Sequence, residues 1–244
     1  MIMDFTNRIA VVTGATSGLG ESTTLKLLEK GAVVLAVGRN EEKGRQLAAR
    51  PNCRFYACDL ADADAVEALC RSIAADYPKL DILINNAGMS LDGTVESLSL
   101  DDWHRIFALN VDSLFLMSKY LIPLMRANGY GRIVNIASTA GVVGAWNLHA
   151  YSATKGAVIQ LTKSMACEYA KENILVNAVA PGGTLTPLMA AIGDGDLEAF
   201  ASLFPIGRLG QPEEIANAIV YAASDESSFM SGSVIMVDGG FTCV

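Results

Sequence analysis

The segment spanning residues 138–155 carries residue types that could move protons: a tyrosine and a lysine four apart, Tyr151-Ser-Ala-Thr-Lys155, with Ser138 upstream. If Tyr151 opens a helix, the i, i+4 spacing puts Lys155 on the same face one turn along. A free phenol has a pKa of about 10, and a nearby ammonium favours phenolate, so such a pair could give and take a proton near working pH. Taken alone, a Tyr–Lys pair is also an ordinary helix-surface contact. The elements around it must decide.

Those elements alternate. Residues 8–13 form a β-branched run that reads as a buried strand, followed by the loop 14–20 with Gly14, Gly18 and Gly20, then a helical pattern to Lys30. Strand, glycine turn and helix suit a phosphate: glycine lets the backbone approach closely, and a helix N-terminus offers unpaired N–H groups. Further strands are expected at 32–37, 53–57, 81–86, 132–137, 174–180 and 233–237. Helices are expected between them, one capped by Asp62, one long from Ser99 to about Met125 with Pro123 near its end, and one from Tyr151 to about Ala170. Seven strands alternating with helices predict an α/β fold, a Rossmann-type doubly wound parallel sheet with helices on both faces. Residues 183–205 have no clean period and read as a lid inserted in one domain spanning 1–244. In such sheets ligands sit beyond the strand carboxyl ends, where the glycine loop, Gly38-Arg39, the turn at Asn86 and Ser138 all fall.

Composition excludes some classes. With 244 residues, 51% of them hydrophobic, the chain can bury a large core. A net charge of −8 argues against nucleic acid or an anionic membrane as partner. Five cysteines (Cys53, Cys58, Cys70, Cys167, Cys243) without a C-x-x-C pair read as reduced thiols of a cytoplasmic protein, and no metal site is expected. The first eight residues lack the basic-then-apolar pattern of a signal peptide. The most apolar segment, 113–125, is broken by Lys119 and Pro123 and falls short of the ~20 apolar residues of a membrane span.

Taken together, Thr13-Gly14-x-x-x-Gly18-x-Gly20, Asn85-Asn86-Ala87-Gly88, Asn110, Ser138, Tyr151-x-x-x-Lys155 and Pro181-Gly182 resemble the short-chain dehydrogenase/reductase superfamily in its compact single-domain form. The resemblance runs from about residue 6 to the end. It implies hydride transfer between a nicotinamide and a ketone or secondary alcohol carbon, with Tyr151 as general acid/base. Ser138 would stabilise charge on the carbonyl oxygen, Lys155 would hold the nicotinamide ribose and lower the Tyr151 pKa, and Asn110 would hold a water relaying protons to Lys155. Cofactor contacts implied in this way are Gly14, Thr16, Ser17, Gly18, Leu19, Gly20, Arg39, Asp59, Leu60, Asn86, Ala87, Gly88, Tyr151, Lys155, Pro181, Gly182, Thr184 and Thr186.

The second strand ends Gly38-Arg39-Asn40, with no acid to hydrogen-bond a ribose 2′-OH and an arginine that can pair with a 2′-phosphate, so NADP(H) is favoured over NAD(H). Against this, the glycine loop reads Ala15-Thr16-Ser17, without the second basic residue of many NADP users. Expected substrate walls are Ser90, Thr139, Val143, Trp146, Asn147, His149 and the lid residues Thr184, Leu188, Met189, Phe200 and Phe204, suiting a compact, partly apolar carbonyl or hydroxy compound. The alternative is a reductase of 3-oxoacyl chains on an acyl carrier protein. That branch carries arginine at two positions that align with Gly129 and Cys167, and neither residue is basic. A non-catalytic dinucleotide-binding scaffold or sensor usually lacks one of Ser, Tyr or Lys, all present here. Relatives are commonly homo-oligomers, and the two long helices suit a dimer or tetramer interface.

Overall fold

The computed structural model describes residues 3–190 and 197–243. Its strands are β1 (Ile9–Thr13), β2 (Val33–Gly38), β3 (Cys53–Ala57), β4 (Ile82–Asn85), β5 (Gly131–Ile136), β6 (Ile174–Pro181) and β7 (Val234–Val237). They form one parallel sheet in the order β3-β2-β1-β4-β5-β6-β7. The chain winds outward from β1 in one direction, then returns to start again at β4. This is the doubly wound arrangement the alternation predicts, and its switch point lies between β1 and β4.

The helices are α1 (Gly18–Glu29), α2 (Glu41–Ala48), α3 (Ala63–Asp76), α4 (Leu100–Phe107), α5 (Ser113–Asn128), α6 (His149–Tyr169), α7 (Pro187–Ala190), α8 (Leu197–Ala201) and α9 (Pro212–Ala222). Side-chain alternation along the strands feeds both layers. Val11, Leu35, Leu83 and Ile133 pack with Ile73 of α3 and Met117 and Leu121 of α5, whereas Ala10, Val12, Ile84 and Val134 pack with Leu27 of α1 and Ile215 and Ile219 of α9. Two asparagines interrupt these apolar strands: Asn85 donates to Asn135 at 2.9 Å, and Asn135 donates to Thr162 of α6 at 2.9 Å. Buried polar groups need such partners, and this chain ties α6 to the centre of the sheet.

The helix expected from Ser99 to Met125 differs in two respects. Its Ser99 cap is present, accepting from Asp102 N–H at 3.0 Å, but a π-helical turn, Ala108–Asp112, separates α4 from α5. Pro123 lies inside α5, which ends instead at Gly129 with φ +64°. The stretch Leu100–Asn128 is long and apolar enough, by length and mean hydropathy, to cross a bilayer. Met117, Leu121 and Met125 are nevertheless fully buried against the sheet, as in a core helix. Of the expected lid, residues 191–196 lie outside the described ones. Its root is closed by Gly210 N–H to Gly183 O at 2.9 Å and Leu185 N–H to Gly210 O at 2.9 Å.

The edge of the sheet opposite the strand carboxyl ends is held by charge. Buried Asp81 accepts from Arg8 at 3.2 Å, from Ile9 N–H at 2.9 Å and from Asn128 at 2.9 Å. The Tyr130 ring lies between Arg8, 3.7 Å from its centre, and Arg132, 4.2 Å from it. Removing Asp81 leaves the Ile9 N–H and the Asn128 amide without their acceptor, whereas Arg8, part exposed, keeps Asp225 at 3.1 Å. Asp81→Ala is therefore expected to cost about 1–3 kcal/mol of unfolding free energy in a urea titration, and Asp81→Asn, which keeps an acceptor for Ile9 N–H, should cost less.

Candidate active site

At the switch point one hydroxyl joins the two halves of the sheet. Thr13 Oγ1 accepts from the N–H groups of Asn86 at 2.9 Å and Ala87 at 3.0 Å, and donates to Ile84 O at 3.2 Å. The Asn86 amide returns the contact, donating to Thr13 O at 2.9 Å. The turn after β4 is thus clamped on the glycine loop, and the glycines are what let it close. A Cβ on Gly20 would stand 2.1 Å from Gly14 O, and one on Gly14, at φ +63°, would stand 2.8 Å from Asn86 Nδ2. The same packing brings α1 down on the loop with no side-chain cap, whereas α2, α3 and α4 are capped by Asn40, Asp62 and Ser99. Uncapped N–H groups above a glycine cradle suit a pyrophosphate, so these residues fit a dinucleotide.

Ser138, Tyr151 and Lys155 come together at the end of β5. Ser138 caps the short turn Thr139–Gly141 by accepting from Ala140 N–H at 3.2 Å, so the cap does not use its own hydroxyl proton. It is hydrogen-bonded to Tyr151. Lys155 is 4% exposed and donates to Ile136 O at 2.7 Å, with Nζ 5.6 Å from the Tyr151 ring centre. Burial pushes the Tyr151 phenol up, and the contact that draws it back is Ser138. Lys155, held on the Ile136 carbonyl, is itself pushed down to about 8 by burial.

Asn110 sits in the π-helical turn and is 2% exposed. Its Oδ1 accepts from Met89 N–H at 2.8 Å, and its Nδ2 donates to Met89 O at 2.9 Å and to Thr154 Oγ1 at 3.0 Å. Thr154 in turn donates to Tyr151 O at 2.7 Å. Both amide hydrogens are committed, so this side chain holds the Met89 backbone and the first turn of α6, and only an acceptor lone pair is left over. From the other side Gly141 presses on α6, where a Cβ would stand 2.6 Å from the Lys155 carbonyl carbon. These contacts set the distance between the Ser138 turn and the Tyr151 helix. Thr154 and Gly141 were not read as site residues, although their places, one before the lysine and three after the serine, were available clues.

A cleft of ≈ 290 Å³ opens along the carboxyl ends of β1 to β4. Among its lining are the expected Gly14, Thr16, Ser17, Arg39, Asp59, Leu60, Ala87 and Gly88, with Gly38 and Asn40 on either side of Arg39, and also Lys43, Cys58 and Leu109, which the sequence pattern does not point to. Gly18, Gly20 and Asn86 stand behind that wall and shape it. Leu19, the residue after Gly18, begins the body of α1 and packs toward the apolar layer under it. Thr186 and Pro187 of the lid rest on Gly18, whose Cβ would meet Thr186 at 3.3 Å. Pro181 ends β6, and Thr184, 5% exposed, donates to Gly182 O at 3.0 Å, so it braces the lid's root.

The expected substrate walls divide. Val143 and Leu188 are part exposed, and the loop carrying Val143 is tied to the loop after Ser90 by Gly93 N–H to Asn147 O at 2.8 Å. Ser90 Oγ is buried with no partner among the described residues, and His149 is exposed at the first position of α6. Trp146, 98% exposed, touches no wall. Phe204 is not a wall either. It is 4% exposed, meets Phe200 edge-on with ring centres 5.4 Å apart and Phe241 at a tilt with centres 5.1 Å apart, and lies on the Gly182 and Gly183 backbone, which has no side chain to hold it off. Among the described residues no cluster of three His, Cys, Asp or Glu could hold a metal ion.

Comparison with known proteins agrees with this geometry. A family model described as "Enoyl-(Acyl carrier protein) reductase" matches residues 14–242. The chain is 40% identical to a cis-4-hydroxycyclohexanecarboxylate dehydrogenase of Sinomonas cyclohexanicum, over 98% of each chain. It is 35% identical to a 3-oxoacyl-[acyl-carrier-protein] reductase of Thermotoga maritima, over 98% of this chain and 99% of that one. A crystal structure from Beutenbergia cavernae, assigned as an NAD(P)-dependent gluconate 5-dehydrogenase with NADP bound at low occupancy, superposes with a TM-score of 0.95 at 35% identity, covering 100% of both chains.

Lys155 gives the site a stability signature. Its folded pKa of about 8 lies below the ordinary value of 10.5, so between these limits the unfolded chain holds a proton the folded chain has released. Stability attributable to Lys155 must then rise with pH across that window. The stability of wild type minus that of Lys155→Met should climb by on the order of 3 kcal/mol from pH 8 to pH 10.5, measured by chemical denaturation at each pH; a flat difference would mean the ammonium is not buried.

Proposed function

From the premise that this chain belongs to the short-chain dehydrogenase/reductase superfamily, we propose that it reduces a compact, partly apolar cyclic ketone, or oxidises the matching secondary alcohol, with NADP(H) preferred. The reaction class is that of the family: NAD(P)-dependent interconversion of a ketone and a secondary alcohol. The observation that carries the reading of the site is the meeting of Ser138, Tyr151 and Lys155 at the end of β5, beside a cleft floored by glycine.

When bound, the nicotinamide supplies or accepts hydride. This chain's residues handle the proton and the charge. Burial keeps the Tyr151 phenol protonated, so it can give its proton to a carbonyl oxygen on which charge is developing. Ser138, whose hydroxyl only accepts in the turn it caps, donates to the same oxygen and stabilises that charge. Lys155, still mostly cationic at pH 7 with a pKa of about 8, would hold ribose hydroxyls and keep positive potential near the phenol as it loses its proton. Asn110 and Thr154 hold the first turn of α6, and with it Tyr151, against the loop after β4.

Three features favour a small cyclic substrate over an acyl chain on a carrier protein. The relative from Sinomonas cyclohexanicum acts on a ring alcohol. Val142, Val143, Leu185 and Leu188 offer exposed apolar surface on the loop after Ser138 and on the lid. Gly129 and Cys167, where a carrier-docking enzyme would be basic, are neutral here. On this reading residues 1–244 work as one domain, with 183–205 closing over the substrate. We also infer a cytoplasmic homo-oligomer, dimer or tetramer, formed through α4 and α5, where Trp103 and Phe115 stay 37% and 50% exposed.

A panel of cyclic ketones and secondary alcohols assayed with both nucleotides tests this. A higher kcat/KM with NADPH than with NADH is expected, and the reverse order would remove the nucleotide assignment. Tyr151→Phe should lose at least about 100-fold in kcat while still quenching NADPH fluorescence on binding. Turnover near that of wild type would end the proposed role of Tyr151.

A further inference from the structure

The wall of the cleft at the end of β2 carries two cations without partners. Arg39 and Lys43 both line it, both are exposed, and neither has a side-chain partner among the described residues, although Glu41 and Glu42 lie between them in sequence. Several arginines elsewhere pair with carboxylates, Arg54 with Asp76 at 2.9 Å and Arg208 with Glu214 at 2.7 Å, and what distinguishes Arg39 and Lys43 is that both line the cleft. Local structure explains why Lys43 faces the cleft. Asn40 caps α2 by accepting from Lys43 N–H at 3.0 Å, so Lys43 is the third residue of the helix and rises from the turn that carries Arg39. The end of β2 carries Gly38 in place of an acid, and a Cβ there would stand 3.0 Å from Thr16 Oγ1. The cleft's one carboxylate, Asp59, lies beyond the end of β3 and accepts from Ala61 N–H at 3.1 Å.

We propose that Lys43 is a specificity-determining residue, the second cation of a subsite for the 2′-phosphate of NADP(H), facing Arg39 across the first turn of α2. The proposal rests on the nucleotide preference given above and deepens it. A phosphate monoester carries close to two negative charges at pH 7. One arginine leaves part of that charge uncompensated, and the glycine loop, Ala15-Thr16-Ser17, has no cation to add. Helix α2 supplies it from the other side. The Lys43 backbone, not its side chain, makes the cap, so side-chain substitutions leave α2 intact.

The test compares 2′,5′-ADP with 5′-AMP, two probes that differ in the 2′-phosphate and need no turnover, by calorimetry on wild type, Lys43→Gln, Lys43→Arg and Arg39→Gln. Wild type should prefer 2′,5′-ADP. Lys43→Gln should weaken 2′,5′-ADP by about tenfold and leave 5′-AMP unchanged, Lys43→Arg should restore most of the loss, and the salt dependence of 2′,5′-ADP binding should be shallower in Lys43→Gln. If only Arg39→Gln is selective and Lys43→Gln binds both probes as wild type does, Lys43 is outside the subsite while the NADP(H) preference stands. If wild type itself does not distinguish the probes, the preference fails and the proposal falls with it.

Discussion

One hydroxyl group at the switch point governs the rest of this molecule. Thr13 ends β1, accepts two N–H groups from the turn after β4, and so fixes the two halves of the sheet to each other where a dinucleotide would lie. That clamp is possible only because Gly14 and Gly20 lack side chains, which lets Asn86 and the first turn of α1 approach the loop backbone. The glycine pattern is therefore a packing requirement before it is a binding motif. Its by-product is an uncapped helix N-terminus over a shallow cradle, which is the chemistry a pyrophosphate needs.

The acid–base half is built by a different means, from buried polar groups that hold one another. Asn110, Thr154, Ile136 and Gly141 hold α6 against the strand ends from several directions, and Lys155 is buried at the centre of them. A buried ammonium with one carbonyl partner is destabilising relative to solvent, which is why its pKa falls. The fold retains a cation at a point where stability alone would not favour one. Such local costs are expected where function requires a charge.

Much of this architecture was legible in the sequence because it rests on short-range patterns. The seven strands are β-branched runs, the helix starts carry Asp62 and Ser99, and the Tyr151–Lys155 spacing is a helical one. What escaped depends on three-dimensional direction. The π-helical turn at Ala108–Asp112 replaces an unbroken helix because Asn110 must reach both Met89 and Thr154, which no periodicity reveals. Lys155 is fixed on the Ile136 carbonyl and Ser138 makes the contact that draws the phenol down, pairings that helical spacing does not reveal. Lys43 enters the cleft because of where a cap places it. Phe204 turns inward because two glycines leave room, whereas Trp146 stays 98% exposed.

The central claim is that Tyr151, Ser138 and Lys155 deliver a proton to a carbonyl oxygen while hydride reaches the carbonyl carbon. The family model's description names reduction of a carbon–carbon double bond instead, so the most direct measurement lets one substrate offer both. Cyclohex-2-enone is incubated with NADPH, and separately NADH, deuterated at C4 of the nicotinamide, and the product is read by deuterium NMR. The account predicts deuterium on the former carbonyl carbon of an allylic alcohol with the double bond intact. Deuterium on the β-carbon of a saturated ketone would contradict it.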